Sequence, residues 1–437
     1  MSDTNAQDGL GALRRRATSA SDPEALAALI FNAASQGEDR IGAWEVLDQH
    51  AILEQSRRLM AQPGWQELPL AGIAVGVKDI FDTADFVTAY GSPIYVGNRP
   101  AGDAAAVAAL RAAGAILPGK TVTTEFAYWK AGKTRNPHNP DHSPGGSSAG
   151  SAAAVSAGMV PLAIGSQTAA STIRPAAYCG IVGFKPSLHR ISLAGVKGLA
   201  GSMDTAGCFA RDVADVALLA SVLAGRPDWR DPSRSDAAPP ALHFSKSPEW
   251  NLAARWMQDA VDGIAVALAQ AGAPVTRADV PASFAPLAEA QTRLMAAEAA
   301  RDLAPEARLH RDSLSVPLQD LIAAGQAMTP DQQEADYGLR DAALAQIDAL
   351  FAGADVLIAP SALDEAPRFE AGTGSPDLSR AWTLLGLPSI SLPAGLGPNG
   401  LPMGLQLAAR PGHDRALLQA AYWVEGYLAA DRRHAGP

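Results

Sequence analysis

The 437-residue sequence is poor in cysteine, in positive charge and in long apolar runs. It has two cysteines, Cys179 and Cys208, which excludes a disulfide-rich secreted scaffold, and we expect both thiols in the core. Lys and Arg number 35 against 45 acidic residues, and this net charge of −10 argues against nucleic acid or an anionic membrane as partners. The longest weakly polar run, Ala152–Ile164, falls short of the roughly 20 residues of a membrane span. We therefore expect a cytoplasmic protein.

What the sequence does have is enough apolar content for a large core, with 48% hydrophobic and 18% charged residues. Residues 1–60 are interpreted as a tail followed by a helical segment, whose apolar spacing continues through Trp44–Leu47. From Leu70 onwards, short β-branched runs alternate with alanine-rich helices. This alternation predicts an α/β fold with helices on both faces of a sheet. A mostly helical stretch at about 240–350 interrupts the sheet pattern, which then resumes, as expected for one domain with an insertion.

One glycine-rich stretch imitates a phosphate-binding loop. Gly114–Thr121 fits the pattern G-x-x-x-x-G-K-T letter for letter. That loop needs a strand before the first glycine and a helix after the lysine, so that helix N–H groups face the phosphates. Here a predicted helix precedes Gly114 and a predicted strand lies inside the pattern. We therefore expect a helix–turn–strand connection, and a nucleotide-binding protein remains only an alternative.

A second stretch imitates the nucleophile elbow of α/β-hydrolases. Gly146–Gly150 reads G-x-S-x-G with Ser148 at its apex. An elbow needs a hydrophobic strand leading into the serine. The preceding Asn136–Gly145 contains three prolines and two asparagines, which do not form a core strand. His138 and His142 lie in this loop, where we expect them to cap turns, so the sequence favours a nucleophile other than Ser148.

A wider set of motifs resembles the amidase signature family of serine hydrolases. The resemblance runs from about Leu70 to the C-terminus, and the order and spacing of its motifs make it specific. The motifs are Gly76–Asp79, Pro144–Val155, Gly165–Ser187, Asp204–Gly207, Gly386–Ile390 and Gly400–Gln406. The resemblance implies a single α/β/α domain over residues 61–437, around a large mixed, mostly parallel sheet.

The family's Ser–cis-Ser–Lys triad maps onto Lys78, Ser147 and Ser171 of this sequence. The resemblance also implies a cis peptide bond before Ser147, and an oxyanion hole made by backbone N–H groups of Thr168, Ala169, Ala170 and Ser171. It implies no metal and no organic cofactor, because the lysine, the serines and the backbone donors supply all the groups.

The chemistry of these residue types supports the same roles. A lysine at the end of an apolar strand is expected to be buried, and burial lowers the pKa of an amine so that its neutral form can act as a base. Lys78 would take a proton from Ser147, and Ser147 from Ser171, which attacks the carbonyl carbon. We expect the side chain of Asp79 to point away, because a carboxylate beside Lys78 would oppose the pKa shift.

Three positions depart from the family pattern. Ala169-Ala170 stands where the family usually has Gly-Gly, and alanine is strained if either position needs a positive φ. Gln167 replaces a common aspartate, and the basic residue after the nucleophile falls at Arg174. These departures leave open a catalytically weak member of the fold or a non-catalytic binding protein.

The predicted function is hydrolysis of a C–N bond in a small-molecule amide, or in a urea- or carbamate-type compound, through an acyl-enzyme. The alternative within the family is an A-type amidotransferase subunit for tRNA transamidation, which the acidic balance disfavours. Tyr128 and Trp129, with Phe126, are candidates for lining the substrate pocket. The insertion is expected to form part of the substrate entrance. A homodimer is possible, and we expect no nucleic acid or membrane partner.

Overall fold

The computed structural model describes residues 9–233, 239–278 and 280–434. Its strands are β1 Trp44–Leu47, β2 Val75–Lys78, β3 Gly119–Thr121, β4 Leu162–Gln167, β5 Val182–Lys185, β6 Thr205–Ala210, β7 Leu242–Phe244, β8 Val275–Arg277, β9 Val356–Pro360, β10 Ser389–Leu396 and β11 Pro402–Ala409. Its α-helices are α1 Leu10–Thr18, α2 Pro23–Ser35, α3 Glu38–Ile41, α4 Gln49–Met60, α5 Ala105–Ala112, α6 Ala149–Ser156, α7 Ile173–Tyr178, α8 Val213–Leu223, α9 Arg255–Gln270, α10 Leu287–Asp302, α11 Ala304–Leu309, α12 Val316–Ala327, α13 Pro330–Leu344, α14 Ile347–Phe351, α15 Asp377–Leu384 and α16 Asp414–His434.

The strands form one mixed sheet in the order β1-β3-β2-β4-β6-β5-β10-β11-β9-β7-β8. The mixed sheet is confirmed, but the expectation that it is mostly parallel is wrong. Of the neighbouring pairs, β2–β3, β2–β4, β7–β8 and β7–β9 are parallel and the other six are antiparallel. The reason is that β5, β6, β10 and β11 pair antiparallel in the centre of the sheet, where the sequence pattern does not show strand direction.

Helices cover both faces of the sheet, as predicted. Along β4, Leu162 and Ile164 pack in one hydrophobic cluster with α5 and α8, whereas Ala163 packs in a second cluster with α6. Successive residues of a strand point to opposite faces. The small side chains of α6 allow that helix to lie close to the sheet directly after the Ser147 region, so the glycine-rich loop is held at the edge of the core.

The N-terminal segment differs from its prediction at one place. Trp44–Leu47 is a strand, not part of a helix, and pairs antiparallel with β3 at one end of the sheet. The apolar residues of this short run fit either periodicity, and the pairing partner lies more than 70 residues away in sequence. Helix α2 begins after Asp22, whose side chain accepts a hydrogen bond from Ala25 N–H.

Residues 240–350, the expected insertion, contain helices α9–α13 and also contribute β7 and β8 to the far end of the sheet. Its helices α10 and α12 cross in close contact at Gly325. A Cβ atom at Gly325 would overlap the carbonyl oxygen of Ala296 on α10, so the crossing requires glycine. Over the described residues, none of the helices combines the length and the apolar character needed to cross a membrane.

Candidate active site

Lys78 ends β2, and its amine lies inside the protein. The side chain is fully buried, and Nζ donates hydrogen bonds to Ser147 Oγ at 2.7 Å and to Ser166 Oγ at 2.8 Å. Burial lowers the pKa of Lys78 to about 7 because the charged form loses hydration, and the Asp204 carboxylate opposes this shift. A substantial fraction of the amine is therefore neutral near pH 7 and able to accept a proton.

Asp79 points away from this amine, as expected. Its Oδ1 lies 3.0 Å from Lys120 Nζ, and its Oδ2 accepts from Ala89 N–H at 3.0 Å. Both members of the Asp79–Lys120 pair are almost completely buried. The lysine of the phosphate-loop pattern is thus an ion-pair partner inside the fold, and Gly114–Thr121 forms the predicted helix–turn–strand connection.

The peptide bond between Gly146 and Ser147 is cis. Gly146 has no room for a side chain, since a Cβ there would lie 2.6 Å from Thr373 Cγ2. Arg174 Nη2 donates to the carbonyl oxygen of Gly146 at 2.7 Å, and Nη1 donates to Gly374 O at 2.6 Å. Arg174 therefore ties the segment before Ser147 to the loop that contains Thr373 and Gly374.

Ser171 borders the same cavity as Ser147, just before α7. Its exposure is 8%, so the side chain is nearly enclosed. Among the described residues, Ser171 Oγ has no hydrogen-bond partner, whereas Ser147 Oγ accepts from Lys78. The structure brings the three predicted residues to one place and forms the Lys78–Ser147 hydrogen bond, but not one between Ser147 and Ser171.

The loop of residues 168–171 is anchored through its carbonyl groups. Gln291 Nε2 on α10 donates to Thr168 O at 2.9 Å, and Thr383 Oγ1 on α15 donates to Ala169 O at 2.7 Å. The carbonyl of the next residue accepts from the first turn of α7 at 3.0 Å. The helical insertion and α15 thus hold the loop from outside the cavity.

Anchoring the carbonyls fixes where the N–H groups of residues 169–171 point. The C=O and N–H of a trans peptide unit point in opposite directions, so these N–H groups lie on the side away from the anchors. Within the described parts of the chain nothing accepts from them, and all three residues line the cavity. Neither Ala169 nor Ala170 has a positive φ, so the strain considered for this pair is absent.

Gln167, which replaces the family's common aspartate, organises the start of α7. Its Oε1 accepts from the N–H groups of Thr172 and Ile173 at 2.9 and 3.1 Å, and its Nε2 donates to Thr383 Oγ1 at 3.0 Å. Because an amide both accepts and donates, Gln167 links the nucleophile segment to the same threonine that anchors Ala169. The sequence pattern singles out Gln167 but gives no role to Thr383 or Gln291.

Asp204 anchors the other end of this loop. Thr168 Oγ1 donates to one carboxylate oxygen, and the N–H groups of Leu199 and Ala200 donate to the other at 2.8 and 3.0 Å. Burial raises the pKa of Asp204 to about 6. Asp204 belongs to a motif that carries the family resemblance, yet only the folded chain shows that it positions Thr168.

The cavity beside Ser171 has a volume of about 50 Å³, and its lining includes two aromatic rings. Tyr128 and Trp129, two of the candidates for the substrate pocket, line this cavity. They also line an adjacent pocket of about 460 Å³ whose other walls are α10 and α12 of the insertion. Phe126 is fully buried and lies outside the cavity lining, where its ring packs edge-on against Tyr95. The insertion therefore forms the outer part of the pocket.

The other residues considered from the sequence have structural roles. Ser148 is fully buried, and its Oγ exchanges hydrogen bonds of 3.2 Å with the backbone of Ser166. His138 lies 3.0 Å from the carbonyl oxygen of Cys179, away from the cavity lining. Cys179 and Cys208 are buried free thiols, as expected for core residues.

Comparison with known proteins agrees with this geometry. The family model described as Amidase matches residues 25–418. The A-type subunit of glutamyl-tRNA(Gln) amidotransferase from Thermus thermophilus is 33% identical over 88% of this chain and 89% of its own length. The corresponding protein of Symbiobacterium thermophilum is 32% identical over 89% of this chain and 90% of its own length.

Solved structures give the same result. A crystal structure described as an amidase superposes with a TM-score of 0.86 at 29% identity, covering 96% of this chain and 99% of the other. The native peptide amidase of Stenotrophomonas maltophilia gives 0.81 at 28% identity, covering 98% of both chains. With the match of the family model, these similarities show that the chain belongs to the amidase signature family.

Proposed function

We propose that the chain hydrolyses a carboxamide C–N bond through an acyl-enzyme, with Ser171 as nucleophile, Ser147 as bridging hydroxyl and Lys78 as base. The observation that carries this proposal is the buried amine of Lys78, which lies 2.7 Å from Ser147 Oγ at a cavity that Ser171 also borders. The N–H groups of residues 169–171 supply donors for an oxyanion, each expected to contribute on the order of 3 kcal/mol to the transition state.

In the proposed mechanism, the Ser171 hydroxyl turns toward Ser147 when substrate enters. Neutral Lys78 takes the proton of Ser147, Ser147 takes that of Ser171, and Ser171 Oγ bonds to the carbonyl carbon. The resulting oxyanion accepts from the loop N–H groups. When the C–N bond breaks, the proton returns from Lys78 through Ser147 to the leaving nitrogen. Water then attacks the acyl carbon through the same relay, and the Ser171 Oγ–carbon bond breaks.

Labelling with a fluorophosphonate probe tests the nucleophile. We expect the wild-type chain to be labelled and Ser171→Ala to lose the label, because the probe reacts with an activated serine. Ser156→Ala is the matched control, since Ser156 Oγ donates to Cys179 O away from the cavity. Ser148→Ala addresses the elbow alternative and is expected to keep the label. Label on Ser171→Ala, or an unreactive wild type, contradicts the proposal.

The physiological role is a second question, and the curated relatives support the amidotransferase role better than a free-standing small-molecule amidase. We therefore propose that this chemistry releases ammonia for transfer to an acylated tRNA. With its net charge of −10, the chain would leave tRNA binding to partner subunits.

Measuring ammonia release from glutamine, aryl amides and carbamates separates the two roles. The amidotransferase role predicts that release from glutamine rises when the other amidotransferase subunits and glutamyl-tRNA(Gln) are added, with formation of glutaminyl-tRNA. A free-standing amidase predicts full turnover of one amide by the chain alone, unchanged by these additions. Absence of both results contradicts both roles.

A further inference from the structure

The cavity beside Ser171 carries positive charge that the proposed hydrolytic steps do not use. Two of its lining residues are arginines, Arg174 and Arg380, and none is acidic. Arg174 is buried, no described carboxylate lies within ion-pair distance of it, and its Nε has no hydrogen-bond partner. A cation without a counter-ion in a buried site raises the local potential and favours an anion nearby.

Arg380 is the guanidinium available to a ligand. It lies on α15, where Nε is 3.0 Å from Asp377 Oδ1 and Nη1 donates to Gln291 Oε1 at 2.6 Å. These bonds fix the plane of the side chain, which is 13% exposed. Its Nη2 has no partner among the described residues. Asp377 pairs with Arg380, whereas Arg174 has no ion pair among the described residues, so its positive charge at the cavity is not offset by a direct partner.

Gln291 connects Arg380 to the loop of residues 168–171, which we call the oxyanion loop after its proposed role. Its Oε1 accepts from Arg380 while its Nε2 donates to Thr168 O, and the side chain is fully buried. Arg380 and the loop of residues 168–171 also line the same cavity, so an acyl group bound beside that loop would lie near this guanidinium. A volume of about 50 Å³ limits that acyl part to a few carbon atoms.

We propose that Arg380 binds a carboxylate on the acyl part of the substrate, so that this site prefers short monoamides of dicarboxylic acids, or amides with a carboxylate similarly placed. The inference rests on the proposed function of Ser171. A planar guanidinium with a free edge suits a carboxylate, and the bond is charge-assisted on both sides.

The test compares monoamides of three- to five-carbon dicarboxylic acids with the corresponding diamides, which have the same shape and no charge. We expect wild-type kcat/KM to favour the acid over the diamide by at least about tenfold for one chain length, as for a charged hydrogen bond. Arg380→Gln should abolish this ratio and Arg380→Lys should keep part of it. Arg277→Gln, an equal charge change on the exposed far strand β8, should leave it unchanged.

A binding measurement on Ser171→Ala separates failure of this inference from failure of the proposed function. The three- to five-carbon dicarboxylates should raise the melting temperature of Ser171→Ala, the diamides should not, and Arg380→Gln in that background should remove the effect. Preference for diamides, or an acid-to-diamide ratio untouched by Arg380→Gln, overturns the carboxylate site. Selective stabilisation by dicarboxylates without hydrolysis of any amide would keep the site and contradict the proposed function.

Discussion

At the residue scale, the proposed chemistry of the site depends on the side chain of Lys78. Lys78 reaches Ser147 and Ser166 from the end of β2, with no carboxylate in hydrogen-bond contact. The fold thus stabilises the neutral amine by burial and gives it two hydroxyl partners. The same burial makes the residue costly to the folded state, because the unfolded chain can protonate it freely.

We predict that Lys78→Met lowers the activity and also removes a pH-dependent contribution to the free energy of unfolding. Activity should fall by at least roughly a thousandfold, and wild-type kcat/KM should rise as pH increases through about 7, where the amine loses its proton. Since the folded pKa lies below 10.5, the unfolded chain binds more protons between pH 7 and 10. The wild type should therefore gain stability relative to Lys78→Met as pH rises through that range.

Urea unfolding at pH 7 and pH 10 measures the second effect. Lys133→Met is the control, because Lys133 is exposed and its substitution should shift stability equally at both pH values. A difference between the wild type and Lys78→Met that does not change with pH would contradict a buried neutral amine.

How far the sequence predicts the site depends on which contacts are local. Lys78, Ser147 and Ser171 can be identified because their neighbours repeat a family pattern. Gln291 and Thr383 cannot, because each reaches the oxyanion loop from more than 100 residues away and an isolated Gln or Thr on a helix has no distinguishing pattern. The sequence also does not show that Phe126 lies outside the cavity lining, because a run of aromatics does not reveal which ring faces a cavity.

At the element scale, α10 connects the insertion to the loop that precedes Ser171. The helix packs against α12, α13 and α15, and the buried side chain of its Gln291 donates a hydrogen bond to the carbonyl oxygen of Thr168. An insertion that merely covered the entrance would not need this contact. We infer that Gln291 is a positioning residue, which acts on the oxyanion through the orientation of the Ala169 N–H.

Gln291→Leu should lower kcat by about tenfold or more on a neutral amide with little change in KM, because the loop N–H groups act mainly in the transition state. Inactivation by a fluorophosphonate should slow in parallel. Gln291→Glu should not rescue the rate, since its carboxylate faces Thr168 O without a donor. Gln333→Leu on α13, at a partly buried residue outside the cavity lining, should match the wild type. A loss confined to melting temperature would mean that Gln291 only supports folding.

The strands show what periodicity can and cannot reveal. The sequence predicts a buried strand at Ile73–Val77, because such β-branched runs favour strands, and the structure has β2 at Val75–Lys78. It predicts helix at Trp44–Leu47, since four apolar-rich residues fit both periods and only the pairing with β3 decides between them. The antiparallel centre of the sheet escapes prediction for the same reason, because pairing direction depends on distant partners.

At the scale of the whole molecule, the insertion adds a large outer pocket to the small cavity beside Ser171. The outer pocket of about 460 Å³ lies between α10 and α12 and shares Tyr128 and Trp129 with the inner cavity. We expect a substrate to enter past these rings, so that the insertion would limit the size of what reaches Ser171 and the proposed Arg380 site would select its charge.

Filling the outer pocket should lower kcat/KM for large substrates and leave it nearly unchanged for small ones. Ala324 on α12 lines the pocket and is exposed, so Ala324→Trp should lower kcat/KM for a bulky aryl amide by about tenfold and leave a small aliphatic amide within about twofold. Ala323→Trp is the matched control, because Ala323 is the preceding exposed residue and does not line the pocket. Equal effects of the two variants, or equal effects on both amides, would contradict an entrance at this pocket.

The glycine at the crossing of α10 and α12 has a mechanical consequence. Backbone touches backbone at Gly325 and Ala296, with no flexible side chain between them to absorb a displacement. Because the contact leaves no slack, we expect a displacement of α12 toward α10 to shift α10 as well, including Gln291, about one and a half helical turns from Ala296. The two helices that line the outer pocket are therefore expected to move together. The part of a substrate that occupies this pocket would then affect the position of the loop that activates its carbonyl group.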